Sequence, residues 1–225
     1  MPVSWVGMGA SPLDVDPYRQ SLVEALDRLP IEAGWRCADV GAGSGDVSLA
    51  LAALVGAGGR VYAIDHSPAA RDELVEAATG AGVAQVVALV QEAEELILPE
   101  QVDLAWCRFL LLHVADPLAI WQRMAAATRA GGFVVSQEPI TSAGRVGGVA
   151  LSMPSARHPD VGAVLPGFPA SCGCTLVSAW AEAPAGAGRG PVASYLGELS
   201  GVDPGDDPVV LPALVTVIAQ KPAGR

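Results

Sequence analysis

The eight residues from Ala38 to Gly45, ADVGAGSG, constrain this chain more than any other stretch. A short apolar run carries the acid Asp39, glycines follow at Gly41, Gly43 and Gly45, and an amphipathic stretch begins at once. That order predicts a strand, a tight turn and a helix. Glycines have no Cβ, so a ligand can lie against the backbone of the turn. The helix N-terminus offers free N–H groups beside it. The turn therefore reads as a cradle for a nucleotide-like ligand.

Two ligand classes use such a turn. The dinucleotide fingerprint is G-x-G-x-x-G, whose third glycine lets helix and strand pack closely. Counting from Gly41, that third position is Asp46, whose carboxylate would repel a pyrophosphate at the helix N-terminus. Counting from Gly43 puts Ser48 there, which is tolerable but atypical. Asp39, two residues before the first glycine, suits a ligand with a positive amine. The pattern acid-x-G-x-G-x-G resembles motif I of the class I S-adenosylmethionine (SAM) dependent methyltransferases, of the small-molecule type. Further landmarks follow in order. GRVYAIDHSP (Gly59 to Pro68) reads as a strand ending in Asp65, about 20 residues past the loop, where an acid meets ribose hydroxyls. QEAEEL (Gln91 to Leu96) follows a strand-like run, VDLAWCRFLLLHVADP (Val102 to Pro117) looks like the fourth strand and its loop, and AGGFVVSQEP (Ala130 to Pro139) is similar to the fifth strand.

The resemblance implies a fold and a cofactor. The fold is α/β: a doubly wound, mostly parallel seven-stranded sheet of Rossmann-like type, with an antiparallel edge hairpin and an N-terminal helical cap. The cofactor is SAM, leaving S-adenosylhomocysteine as product. Asp39, Gly41, Ala42, Gly43 and Gly45 are assigned to its methionine part, Asp65 to the ribose, and Glu92 with Ala93 to the adenine amino group. Glu94 and Glu95 stand close to Glu92, so a plain solvated face remains open there. His66 either borders the adenine or is an exposed loop histidine. Cys107, where the fourth strand meets the donor, is read as a backbone contact and not a nucleophile.

Composition narrows the partners. A net charge of −11, with no basic stripe, makes nucleic acid a poor ligand. No apolar run reaches membrane-span length. No positively charged N-terminal region precedes an apolar core, so no signal peptide is expected. The four cysteines, Cys37, Cys107, Cys172 and Cys174, lack zinc spacing, which predicts reduced thiols, a cytoplasmic location and no metal. At 225 residues one domain is expected. Residues 1–34 would form the cap segment and 35–222 the core, with 139–159 and 184–208 as lid or insert loops.

Periodicity fills in the rest. A helix is predicted from Pro17 to Leu29, with Leu22, Leu26 and Leu29 on one face. Strands are predicted at Arg36 to Val40, Val61 to Ile64, Val86 to Val90, Val102 to Trp106 and Phe133 to Ser136. Ser67-Pro68 and Asp116-Pro117 are cap-plus-proline helix starts. Gly131 reads as the terminator of the helix that follows Asp116. Asp160 to Phe168 reads as a short helix, and Cys174 to Ala183 and Val209 to Gln220 as the last two strands.

Acid–base candidates are His113, which titrates near neutrality, and Glu138, able to act as a base if buried. Each has a structural alternative. Arg108 is a candidate for a substrate carboxylate or phenolate, or for an internal ion pair. Tyr18, with Trp5 and Trp35, is expected to line a cap over the substrate or to pack it on the core. The activity implied is methyl transfer to a small molecule, such as a secondary metabolite or quinone-like compound. Two other readings stay open: a related enzyme of natural-product biosynthesis that cyclises without methylating, and a SAM-binding partner subunit without turnover. Self-association as a homodimer is also left open.

Overall fold

The computed structural model describes residues 16–187, 189–200 and 203–224. Trp5 and the rest of the expected cap before Asp16 lie outside them. Helix α1 (Arg19–Asp27) leads into β1 (Arg36–Val40), α2 (Asp46–Val55), β2 (Arg60–Asp65), α3 (Pro68–Gly80), β3 (Val86–Val90), β4 (Val102–Arg108), α4 (Pro117–Ala127) and β5 (Thr128–Ile140). Then come β6 (Arg145–Val146), β7 (Val149–Ala150), α5 (Phe168–Ser171), β8 (Thr175–Glu182), β9 (Ala185–Ala187), α6 (Pro191–Ser200), β10 (Pro208–Val210) and β11 (Ala213–Gln220).

Seven strands form one sheet in the order β3-β2-β1-β4-β5-β11-β8. The first five run parallel, and β11 is antiparallel to both β5 and β8. Strand order reverses between β1 and β4, which opens a ligand crevice at the carboxyl ends of the strands. Side chains alternate across the sheet as a period of two demands. Cys37, Leu104, Trp106, Val135 and Ile218 face α1 and α2. Ala38, Val40, Ala105, Cys107, Val134 and Val217 face α4 and the turns after it.

Local signals set the helix starts. The hydroxyl of Ser67 accepts from Ala70 N, and the carboxylate of Asp116 accepts from Ala119 N, each just ahead of a proline. The far end of α4 departs from expectation. The helix stops at Ala127, and Gly131, with φ +76°, lies inside β5. What satisfies the last carbonyls of α4 is distant in sequence: Lys221 Nζ donates to Ala125 O (2.9 Å) and Thr128 O (2.7 Å).

The two segments expected as loops are partly regular. Residues 139–159 carry β6 and β7, and 184–208 carry β9 and α6. Strands β7-β6-β10-β9 form a second, antiparallel sheet, so Val209 belongs to β10 and not to the last strand of the large sheet. Leu196, Val209, Leu211 and Leu214 bury this layer against Tyr18. Alternation is too short in strands of two or three residues to announce them. The expected helix from Asp160 is two 3₁₀ turns, Val161–Ala163 and Leu165–Gly167, followed by α5, and α1 starts at Arg19 rather than Pro17. Among the described residues no helix is long and apolar enough to cross a membrane.

Candidate active site

The glycine turn sits at the end of β1, with positive φ at Gly41 (+78°), Gly43 (+50°) and Gly45 (+97°). A Cβ on Gly45 would collide with Leu74 Cδ1 of α3, so glycine is needed there for space as well as for φ. The turn is tied to β2: Gly41 N and Ala42 N both donate to Ile64 O, at 2.8 and 2.9 Å. Asp65, the last residue of β2, accepts from Gly43 N (2.9 Å) and, through its other oxygen, from Ser67 N (2.9 Å). One carboxylate thus spans the two loops of the crevice. His66 Nδ1 lies 3.3 Å from it, with the imidazole largely in solvent.

Asp39 is buried, on the face of β1 toward α2, and Ser48 Oγ donates to its Oδ2 at 2.6 Å. Burial raises its carboxyl to about 7, against the pull of the Ser48 hydrogen bonds.

An open cavity of about 620 Å³ extends from this turn. Asp65, His66, Glu92 and Ala93 line one side, and Phe109, Leu110 and His113 the other. Glu92 caps the 3₁₀ turn Ala93–Glu95 at the cavity edge. A second cavity of about 310 Å³ lies beyond Phe109, lined by Tyr18, Leu112, His113, Met153, Tyr195 and Pro212 among others. Phe109 and His113 belong to both walls. Among the described residues no carboxylate, Lys or Arg side chain lines the second cavity.

The residues expected from sequence separate into two groups. Asp65, His66, Glu92, Ala93, Gly41 and His113 line the first cavity, and Tyr18 and His113 the second, whereas Asp39, Ala42, Gly43 and Gly45 line neither. Tyr18 offers its ring: its hydroxyl is spent on Pro212 O at 2.7 Å, and the ring meets Phe109 and Tyr195 edge-on at 5.5 and 6.0 Å. Burial lowers the His113 imidazole, so it is neutral at physiological pH and able to accept a proton.

Four further site candidates singled out from sequence line neither cavity. Arg108 lines neither cavity; its guanidinium donates to Asp16 (2.7 Å) and Tyr18 O (3.3 Å), pinning the chain before α1 to the end of β4. Cys107 also lines neither cavity. It lies fully buried in mid-sheet, with its Sγ 3.1 Å from Ser136 Oγ, and burial pushes its thiol well above the usual range. Glu138 is fully buried too and accepts from Leu110 N and Leu111 N, which leaves it no path to an acceptor as a base. Trp35 stacks on Phe133, 6.2 Å away on the core side, rather than capping a substrate.

Sequence reading missed Phe109, Tyr195, Met153 and Arg157, which line the cavities. Only Phe109 carried a signal, its place directly after the fourth strand. Its φ of +54° is uncommon for a bulky residue. Among the described residues no group of three His, Cys, Asp or Glu side chains is placed to share a metal ion.

A family profile described as a methyltransferase domain matches residues 38–136, from the middle of β1 into β5. Residues 38–136 are thus similar to the methyltransferase domain family. The chain is 38% identical over 123 residues to a ubiquinone biosynthesis O-methyltransferase from Xanthomonas campestris pv. campestris, covering 52% of this chain and 47% of that protein. The chain thus spans about half the length of the curated relatives it matches. Among solved structures it resembles a methyltransferase from Bacillus halodurans C-125 (TM-score 0.68, 15% identity, 91% of this chain and 100% of that one). It also resembles the cyclase SpnF (TM-score 0.64, 16% identity, 91% and 82%). At these identities the structures establish the shared fold, a Rossmann-like sheet.

Proposed function

We propose that this protein transfers a methyl group from SAM to a neutral small-molecule acceptor. The observation that carries the reading is the pair of cavities meeting at Phe109 and His113, one beside the glycine turn and one lined by aromatic and apolar side chains. When bound, SAM supplies an electrophilic methyl group on a sulfonium centre.

The residues fit that group. Asp39 is a buried carboxylate whose hydrogen bonds come from Ser48, and an ammonium would add a direct counter-charge. Each Asp65 oxygen keeps a lone pair for a ribose hydroxyl after accepting one backbone amide. Glu92 and Ala93 line the same cavity and would meet the adenine amino group, with His66 at its border. The turn from Gly41 to Gly45 lets the ligand approach the backbone. A charged acceptor would be left unpaired in the second cavity, whereas a flat phenol or quinol would lie against Tyr18, Phe109 and Tyr195. Neutral His113 then takes the hydroxyl proton, and the walls align the oxygen with the methyl group and exclude water. A secondary metabolite or quinol-like compound is the acceptor class this supports.

Two finer parts belong to the proposal. All four cysteines are unpaired, which supports a cytoplasmic setting. Among the described residues no strand pairs with the outer edge of β8, which would suit a homodimer, and sedimentation would test it.

The test is calorimetry with SAM, S-adenosylhomocysteine and NAD, followed by a mass-spectrometric assay with a catechol, 1-naphthol and glycine as acceptors. Binding of both sulfur nucleotides but not NAD, with methylation of a phenol and not of glycine, is expected. Loss of both sulfur nucleotides would remove the donor site. Turnover of an acceptor without release of S-adenosylhomocysteine would favour the non-methylating alternative.

A further inference from the structure

A carboxylate removed from water needs partners in the protein. Glu138, on β5, is fully buried, and all the partners of its Oε1 lie on or after β4. That oxygen accepts from Leu110 N at 3.0 Å and Leu111 N at 2.9 Å, and the Cys107 thiol donates to it at 3.9 Å. Among the described residues its Oε2 has no hydrogen-bond partner. One residue earlier, Phe109 N donates to Gln137 O at 3.0 Å. Three consecutive amides are therefore tied to two consecutive residues of β5, directly after the end of β4.

The first of the three residues so tied, Phe109, has the left-handed backbone that bulky side chains rarely adopt. Such a conformation persists only where its surroundings over-determine it. Phe109 and Leu110 line the donor cavity, and Phe109 and Leu112 the second one. This short loop is the partition between them.

We propose that Glu138 is a positioning residue: its buried carboxylate grips the amides that follow strained Phe109 and so holds Phe109 and His113 at the junction of the cavities. The proposal rests on the reading of those cavities as donor and acceptor sites. An ionised acceptor makes markedly stronger hydrogen bonds than a neutral one, so the grip depends on the charge. Burial raises the carboxyl to about 7, while the amides of Leu110, Leu111 and Leu112 pull it down. The titratable group against it is Cys107 of β4. Ser136 lies on its own strand, β11 pairs Val215 with it, and the turn after Asp160 brings Gly162 to its backbone. The loop is held more tightly above pH 7 than below it.

Nuclear magnetic resonance tests this directly. In wild type, the amide proton shifts of Leu110 and Leu111 are expected to move together with a midpoint of about 7. In Glu138→Gln, which keeps an acceptor oxygen and cannot ionise, that step disappears while the loop stays ordered. In Glu138→Ala, hydrogen exchange at both amides accelerates about tenfold or more. The cofactor-side probe is 5′-methylthioadenosine, which carries adenosine and a thioether but no aliphatic ammonium and so does not report on Asp39. Its affinity should rise through the same midpoint in wild type and stay flat in Glu138→Gln. Absence of the amide step in wild type, or its survival in Glu138→Gln, overturns the proposal. Equal binding and pH dependence in wild type and Glu138→Gln overturns the positioning role and leaves the donor reading intact. No binding to wild type at any pH overturns the donor reading, and the amide titration alone then decides whether Glu138 holds the loop.

Discussion

Replacing Asp39 by Asn should stabilise the ligand-free protein and weaken its grip on SAM. The side chain is 2% exposed, and burial moves its carboxyl from the ordinary 3.8 to about 7. At about 1.4 kcal/mol per unit, the ionised group costs roughly 4 kcal/mol above pH 7. Between 3.8 and 7 the native state keeps a proton that the unfolded chain has lost. Stability therefore falls as pH rises through this window, and levels off above it. Asn cannot ionise, and its amide oxygen still accepts from Ser48. Urea unfolding at about pH 5 and about pH 8 should show the D39N gain growing by about 3 kcal/mol between the two, the part of the window above pH 5. Glu138, also raised to about 7, contributes the same slope to both proteins and cancels. Calorimetry at pH 8 should show roughly tenfold to hundredfold weaker SAM binding, the value of a hydrogen bond between charged groups. A gain that does not change with pH would refute the argument, because the cost would then not lie in ionisation. Unchanged SAM affinity would separate Asp39 from the ammonium.

Three other outcomes follow from the geometry. His113→Ala should lower kcat for a phenolic acceptor by about 10²- to 10⁴-fold with little change in SAM affinity, and the wild-type acid limb should fall below pH 6.5, since burial lowers the imidazole. Gly45→Ala should destabilise by about 1–3 kcal/mol in urea unfolding; adding Leu74→Ala should relieve the collision but not the φ of +97°. Lys221→Met should cost about 1–3 kcal/mol through the two carbonyls left at the end of α4, with amide exchange accelerating there first.

What the sequence determined is what near neighbours encode. Asp39 and the spaced glycines dictate a strand, a turn with positive φ and a helix, and that is the structure from Arg36 to Val55. Ser67-Pro68 and Asp116-Pro117 announce helix starts because a cap acts within one turn of chain. The alternation of short apolar strands with helices was enough for a doubly wound parallel sheet, and the antiparallel pairing at one edge was what the family resemblance implied. The tertiary structure decided which partners the buried charges take. Arg108 reads as a ligand for an anion until Asp16, 92 residues earlier, is seen to hold it. Glu138 reads as a base until its oxygen is found on amides 27 and 28 residues back. Phe109 has no motif; its strained backbone exists because β5 grips the loop around it. The second sheet was hidden because strands of two or three residues carry no period, and only packing on Tyr18 makes them strands. Periodicity and capping are short-range and leave a mark in the chain. The cost of burying a charge is settled by whatever the fold brings beside it, and no local pattern records that.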